Sequence, residues 1–351
     1  MPHPRSGLAV LASLALVIGS AAGSSAAPKP KPPPEPTGGT LVALGDSFSA
    51  GTGTYARVDS CYRSPYAYPV LLAERLGHTL DFQACEGATT NDVSLDQLET
   101  LSTSTTMVTM TVGGNDVGFA DVLSECALPS WLSDCTGAIE AGRMILNTQL
   151  GERLDSLYGA IKAGAPNAAV TVGGYPHLFN GISDCSLTTF FDRTEMTKLN
   201  AATDELDGLI SARSTAAGLR YVDPRSAFDG HAVCDSSPYV NGYSSPVGES
   251  YHPNRAGNVA YADVFTPAGG GGGGKGKPRA TRTLTIEEQA EYVADLGLDS
   301  PESLARAESA GLEAREIRGL VGQLRSGNET AQLAALKRLE VLDEQVASRR
   351  G

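Results

Sequence analysis

The sequence is poor in histidine and in basic residues. Five of its 351 residues are histidine, and 27 Lys and Arg stand against 40 Asp and Glu, a formal net charge of −13. Between Thr40 and Thr266 the counts are 12 and 26, a net of −14. Because a segment of this charge repels phosphates, the composition argues against nucleic acid as a partner.

Long apolar runs are also missing beyond the N-terminus. The apolar stretch Gly7–Gly23 follows Arg5 and is shorter than the ~20 residues that a membrane-spanning helix needs. Ser24 and Ala26 then supply the small residues that signal peptidase prefers. Residues 1–26 are therefore predicted to be a signal peptide rather than an anchor. The protein is expected to be secreted and extracellular, with no stable membrane span.

Zinc-type clusters of cysteine and histidine are absent, as are CxxC pairs, so neither a metal nor another cofactor is predicted. The six cysteines form an even set, which favours disulfides in an exported chain and permits about 15 pairings. Pairing in chain order is the favoured scheme because it closes three local loops. It joins Cys61 to Cys85, Cys126 to Cys135 and Cys185 to Cys234.

Two low-complexity segments divide the chain, a proline-rich leader at residues 27–39 and a glycine-rich linker at residues 267–283. The segment between them, residues 40–266, is long enough for one well-buried core. In residues 284–351, a capping-box pattern and leucines at helical spacing predict a small helical extension with a structural or interaction role. A partly disordered tail is the alternative.

The central segment alternates short apolar stretches with longer helical patterns, which predicts a parallel sheet covered by helices on both faces. The predicted strands are Thr40–Leu44, Thr79–Ala84, Met107–Val112, Ala168–Gly174 and Leu219–Pro224, and the predicted helices are Tyr66–Leu76, Val93–Leu101, Gly137–Ala163, Asp192–Ala217 and Arg255–Phe265. In such sheets, ligands bind beyond the carboxyl ends of the strands. The loops that open at Gly45, Cys85, Gly113 and Tyr175 are therefore the candidates for a site.

Two polar motifs directly follow predicted strands. In the segment ALGDSFSAG, a strand-to-helix turn would project the Ser47 hydroxyl above the sheet edge, although Ser47 could simply cap the next helix. The segment is not the GxSxG elbow of the α/β-hydrolases, because its last position is Ser49. In GGND, the Asn115 amide can donate to an oxyanion, or the segment is a plain Gly-Asn turn.

Two further segments carry a weaker signal. Gly87, after the second strand, can present a backbone N–H toward the same oxyanion. His252, in ESYHPN before the last helix, is the best candidate for a general base, although it could be only a helix-entry residue bonded to backbone. The other histidines beyond the signal peptide lie at a helix end or in loops: His78, His177 and His231.

Together, over roughly Gly39 to Pro267, these segments resemble the four signature blocks of the GDSL lipase family, also called the SGNH hydrolases. The resemblance implies that Ser47 is the nucleophile, that His252 is the base, and that Ser47, Gly87 and Asn115 form the oxyanion hole. It also implies a flavodoxin-like three-layer α/β/α sandwich, ester hydrolysis without a metal, and the three disulfides in chain order. The cysteine frame and export signal are most similar to secreted actinobacterial lipases, esterases and phospholipases of the Streptomyces type.

One position departs from the family pattern. The family commonly places an aspartate three residues before the histidine, where this chain has Glu249. A glutamate could orient the imidazole, but some actinobacterial relatives use the carbonyl two residues before the histidine, which here belongs to Ser250. A dyad supported by the Ser250 carbonyl is favoured over a triad with Glu249, and both remain open at this point.

The sequence thus predicts a secreted, monomeric serine hydrolase of lipid esters: a lipase, an esterase or a phospholipase. The alternatives are a carbohydrate O-acetyl esterase and a wall-associated binding protein acting through its C-terminal helices. Apolar residues in the loops 118–136 and 175–191 are candidates for an acyl-chain groove, or they only cover the sheet edge. These residues are Phe119, Leu128, Trp131, Leu178, Phe179, Phe190 and Phe191.

Overall fold

The computed structural model describes residues 38–182, 187–267 and 283–350. The predicted signal peptide, most of the proline-rich leader and most of the glycine-rich linker lie outside the described residues. Cys185 also lies outside them, so its predicted bridge to Cys234 stays a prediction. The rest of the chain forms a sheet-containing body and a group of C-terminal helices.

Five strands form one sheet in which all neighbouring strands are parallel. They are β1 (Thr40–Gly45), β2 (Thr79–Phe82), β3 (Thr105–Thr111), β4 (Ala169–Gly173) and β5 (Arg220–Val222), in the spatial order β2-β1-β3-β4-β5. This is the flavodoxin-like order, and each predicted strand is present within two residues of its predicted bounds. The predicted α/β sandwich is confirmed.

Helices cover both faces of the sheet. They are α1 (Ser47–Ala50), α2 (Tyr68–Leu76), α3 (Thr90–Asp92) with a π-helical turn (Val93–Gln97), α4 (Phe119–Cys126), α5 (Cys135–Ile145) with a π-helical turn (Leu146–Leu150), α6 (Gly151–Gly164), α7 (Arg193–Ala216), α8 (Arg225–Phe228) and α9 (Arg255–Phe265). On one face α2 packs on α9, where Tyr68 stacks on Phe265 with ring centroids 4.3 Å apart. On the other face α6 packs on α7. The predicted helix Gly137–Ala163 is therefore two helices joined by a π-helical turn.

The chain leaves β1 toward β2 on one side and reaches β3 on the other, so the sheet has its topological switch point at the end of β1. Gly45 ends β1 with φ +113°, and a Cβ there would lie 2.2 Å from the Thr111 carbonyl oxygen of β3. Only glycine permits this close approach. The turns after β1 and β3 are consequently held side by side.

Two of the predicted disulfides are present. Cys61–Cys85 ties the loop after α1 to the loop after β2, with the two Cα atoms 4.3 Å apart. Cys126–Cys135 closes the connection between α4 and α5, with the two Cα atoms 4.4 Å apart. Both bridges therefore brace loops next to the carboxyl edge of the sheet.

The C-terminal residues form four helices, as the helical spacing predicts. These are α10 (Ile286–Asp295), α11 (Pro301–Ser309), α12 (Ala314–Leu324) and α13 (Glu329–Arg350). The predicted capping box at Thr285 and Glu288 begins α10, and Ser300 caps α11. Their apolar core also contains Trp131 and Phe190 from the sheet-containing body, so the extension packs on loops of that body.

Within the described ranges, no helix is long and apolar enough to cross a membrane.

A substitution at Leu150 tests the packing beneath the site, because the Leu150 side chain is fully buried against the turn at Gly113. We expect Leu150→Ala to lower the free energy of unfolding by about 2–5 kcal/mol, since it leaves a cavity. The matched control is Leu95→Ala, because Leu95 is 72% exposed; its effect should stay within about 0.5 kcal/mol. Chemical denaturation measures both, and equal effects would contradict this description of the core.

Candidate active site

Ser47 and His252 meet at the carboxyl edge of the sheet. Ser47 opens α1 directly after β1, and His252 lies in the loop before α9. The His252 Nε2 atom is 2.7 Å from the Ser47 Oγ atom, although the two residues are 205 positions apart. The predicted nucleophile and the predicted base are thus within hydrogen-bond distance of each other.

The tautomer of His252 follows from its other contact. The Nδ1 atom lies 2.7 Å from the Ser250 carbonyl oxygen, which can only accept, so Nδ1 carries the proton and donates it. Nε2 is then the acceptor for the Ser47 hydroxyl. Tyr251, between Ser250 and His252, has φ 56°, a left-handed backbone conformation that is strained for residues other than glycine. This turn brings the Ser250 carbonyl back onto the imidazole.

Glu249 makes different contacts. Its carboxylate is buried and accepts from the Gly53 N–H at 2.7 Å and the Tyr55 N–H at 3.2 Å. Its carbonyl accepts from the Asn241 side-chain amide. The carboxylate therefore joins the loop after α1 to the histidine loop, while the Ser250 carbonyl is the group bonded to the imidazole.

Burial lowers the pKa of His252 from 6.5 to about 4, with the Ser250 carbonyl acting in the opposite direction because it favours the protonated ring. The ring edge remains partly open to the cavity described below. At neutral pH the imidazole is consequently uncharged, which is the form that can accept a proton from Ser47.

The predicted oxyanion donors face the same space. Ser47, Gly87, Asn115 and His252 all line one cavity of about 500 Å³. Gly87 has φ +76° and open space where a Cβ would lie. The Asn115 amide donates to the Ala88 carbonyl at 3.1 Å, and its second hydrogen is available for a ligand because an amide nitrogen carries two.

Asp116 ties the Asn115 turn to the segment that follows Gly87. Its carboxylate is buried and accepts from the Thr90 N–H at 2.9 Å and from the Thr90 hydroxyl at 2.6 Å. Arg153 contributes a longer ion pair at 3.4 Å. These bonds hold the turn that carries Asn115 against the segment that follows Gly87.

Sequence reasoning missed the role of Asp46, which it treated only as a letter of the motif. Its buried carboxylate accepts from the Phe48 N–H at 3.0 Å, from the Thr111 hydroxyl at 2.7 Å, and from the Tyr175 hydroxyl. Burial raises its pKa to about 6, against the effect of these donors. The preference of aspartate for helix N-caps was the signal that could have assigned it.

Ser49 and Gln97 were missed as well. The Ser49 hydroxyl oxygen accepts from the Thr111 N–H at 2.9 Å and also bonds the Tyr68 hydroxyl. The Gln97 side chain bonds both backbone groups of Gly45, at 2.7 and 2.9 Å. A serine where the α/β-hydrolase elbow has glycine thus fastens the turn to β3.

The candidate groove residues separate into different surroundings. Phe119 lines the cavity at Ser47, while Phe179 and Phe191 line a neighbouring cavity of about 240 Å³. Trp131 and Phe190, with Leu128, pack among the C-terminal helices, and Leu178 is in the main core. The other described histidines bond elsewhere: His78 to Leu76, His177 to Asp204 and His231 to Ser237.

Residues 43–260 match the model of the GDSL-like Lipase/Acylhydrolase family. The chain belongs to this family. It is 38% identical over 252 residues to Lipase 1 of Streptomyces coelicolor, covering 70% of this chain and 92% of that protein. It is 36% identical over 220 residues to a lipase of Streptomyces rimosus, covering 62% of this chain and 81% of that protein.

Two solved structures share the fold of the sheet-containing body. The crystal structure of phospholipase A1 from Streptomyces albidoflavus NA297 has 37% identity and a TM-score of 0.62, covering 65% of this chain and 98% of that one. The extracellular lipase from Streptomyces rimosus has 35% identity, a TM-score of 0.62 and the same coverage. The chain is therefore an ester hydrolase, and its matched family region ends before the C-terminal helices.

The lowered pKa of His252 predicts an unusual pH profile. Because the base stays unprotonated below its ordinary pKa of 6.5, kcat/KM for a neutral ester should keep its plateau down through pH 6.5 and fall only at lower pH. The fluorescence of Trp131, the single tryptophan, monitors folding at each pH. An acidic limb at or above 6.5 in folded protein would contradict this prediction.

The contacts of Glu249 predict that removing its charge has little effect on kcat. In Glu249→Gln, the side-chain oxygen can still accept from Gly53, so we expect kcat within about threefold of the parent enzyme. Glu99→Gln, at an exposed glutamate, is the matched control. A large loss of kcat confined to Glu249→Gln would instead assign the carboxylate a direct role on the imidazole.

Proposed function

We propose that this chain is a secreted serine hydrolase of lipid esters that works through an acyl-enzyme on Ser47. The observation that carries the proposal is the 2.7 Å contact between Ser47 Oγ and His252 Nε2 inside a cavity shared with Gly87 and Asn115. A neutral imidazole fixed by the Ser250 carbonyl has the tautomer that a general base for a serine needs.

In the first step, Ser47 Oγ attacks the ester carbonyl carbon while His252 Nε2 takes the hydroxyl proton. The same imidazole then protonates the departing alcohol, which leaves an acyl group on Ser47. Water attacks this acyl-enzyme with His252 again as the base, releasing the acid and restoring the serine. The Ser250 carbonyl stabilises the imidazolium that forms in each half-reaction.

Negative charge on the carbonyl oxygen is stabilised by the backbone N–H groups of Ser47 and Gly87 and by the Asn115 amide. Loss of one such donor typically lowers the rate by about 10²–10³. The start of α1 adds a favourable field only at close range, because that helix has one turn. The three donors therefore supply most of the stabilisation.

A lipid acyl group suits the walls of the cavity. Phe119 and Leu123 of α4 line it together with Ala127, which directly follows that helix, and Tyr243 and Val247 also line it. Among the described residues that line the cavity there is no Lys or Arg. This favours a substrate whose groups beside the ester bond are uncharged. Relatives named as lipases and a phospholipase A1 support the same substrate class.

Secretion and the organisation of the chain belong to the same proposal. Cleavage of residues 1–26 would release a monomeric enzyme with a hydrolase domain at 40–266, a linker at 267–283 and a helical extension at 284–351. The two described disulfides are consistent with an oxidising compartment. One structural relative is described as an extracellular lipase.

Ser47→Ala should abolish both ester hydrolysis and labelling by a fluorophosphonate, because no other group on the proposed path can form the acyl-enzyme. Ser156→Ala, at an exposed serine of α6, is the matched control and should be labelled and active. Hydrolysis or labelling that survives in Ser47→Ala would overturn the assignment.

A series of nitrophenyl esters, assayed beside an acetylated xylo-oligosaccharide, tests the substrate class. We expect kcat/KM to rise with acyl length up to a limit set by the cavity, because each buried methylene contributes about 0.8 kcal/mol. Activity confined to acetyl groups would indicate a carbohydrate esterase. Binding to cell walls without hydrolysis would indicate the non-catalytic alternative.

A further inference from the structure

A side chain of the C-terminal extension lies in the proposed substrate cavity. Tyr292 of α10 lines the same cavity as Ser47 and His252. Its ring packs on that of Tyr243, with centroids 4.1 Å apart and planes inclined by 38°. The family match ends at residue 260, so this part of the wall has no counterpart in the matched region.

The geometry of α10 explains why Tyr292 faces the hydrolase body. Ala290 and Val293 are fully buried in the core of the C-terminal helices, and Ala294 is nearly so. Gln289 and Tyr292 are three residues apart and so share another face of the helix. Gln289 lines the neighbouring cavity of about 240 Å³, so this face borders both cavities.

Packing holds α10 in this position. Trp131 and Leu132, from the loop after α4, are buried among the C-terminal helices together with Phe190. Beside them, the Ser130 N–H donates to the buried carboxylate of Asp343 on α13. The extension is therefore anchored on the loops that flank the site, and Tyr292 has a defined place in the wall.

The tyrosine pair stands where the two cavities adjoin. Tyr243, Tyr251 and Thr189 each line both the cavity at Ser47 and the neighbouring one. Tyr292 contacts Tyr243 from within the cavity at Ser47. Loss of the Tyr292 ring would enlarge the cavity at Ser47. It would also remove the ring that packs on Tyr243, which stands between this cavity and the neighbouring one.

We infer that Tyr292 determines substrate specificity by limiting the length of the acyl chain that the cavity accepts. The inference rests on the proposed function, because it needs an acyl ester at Ser47. The acyl chain of the substrate lies against the apolar side chains of Phe119 and Leu123. Its far end meets the rings of Tyr243 and Tyr292. The C-terminal extension is thus part of the substrate site.

The test is a size series at one position in the full-length chain: Tyr292→Ala, Tyr292→Leu, Tyr292→Phe and Tyr292→Trp. For each variant, kcat/KM is measured with nitrophenyl esters of increasing acyl length. We expect Tyr292→Ala to raise the ratio of long-chain to short-chain kcat/KM on the order of tenfold, since one methylene in a fitted pocket already changes rates by that amount. Tyr292→Phe should keep the parent ratio, and Tyr292→Trp should lower it.

Glu291→Ala, on the exposed side of the same helix, controls for changes in α10 that do not touch the cavity. If Tyr292→Ala unfolds the extension, Tyr292→Leu removes the ring while keeping an apolar group. An unchanged ratio in folded Tyr292→Ala or Tyr292→Leu overturns the inference, as does a selective loss of long-chain activity. A parent enzyme that hydrolyses no ester and takes no fluorophosphonate label would instead defeat the proposed function itself.

Discussion

The buried carboxylate of Asp46 joins the strand ends on which the site is built. It accepts from the turn after β1, from Thr111 at the end of β3 and from Tyr175 after β4. Burial of this carboxylate disfavours its charged form and raises its pKa to about 6. The three donors offset part of that cost. Through them the turn that presents Ser47 is tied to the end of β3 and to the loop after β4.

Around this turn, two members of the proposed machinery are each held by a backbone carbonyl. The Ser250 carbonyl fixes the tautomer of His252, and the Ala88 carbonyl holds the Asn115 amide. The Glu249 carboxylate does not bond the imidazole of His252; it accepts from backbone N–H groups of the loop after α1. Backbone carbonyls thus bond the two side chains directly, while the buried carboxylates of Asp46 and Glu249 hold the turns and loops around them.

Much of the fold was predictable because buried parallel strands are short apolar runs, and all five such runs became strands. The π-helical turn Leu146–Leu150 was not, since none of its five residues is glycine or proline and its leucines continue the apolar pattern of the helix. The loop aromatics also escaped assignment. Phe119 and Trp131 belong to the predicted loop 118–136, but the structure has helix α4 there, beginning at Phe119. Phe119 lines the cavity, whereas Trp131 packs among the C-terminal helices.

By itself, the sequence determined the order of the strands along the chain and which polar residues follow each strand. Because the strands are parallel, their carboxyl ends bring Ser47, Gly87 and Asn115 to one edge of the sheet. Only the tertiary structure decided what supports His252 and what closes the cavity. The contact of Tyr243 with Tyr292 joins positions 49 residues apart. Ser250 and His252 are only two residues apart, but their contact depends on the left-handed turn at Tyr251. Both contacts depend on backbone turns and docking that local residue preferences do not encode.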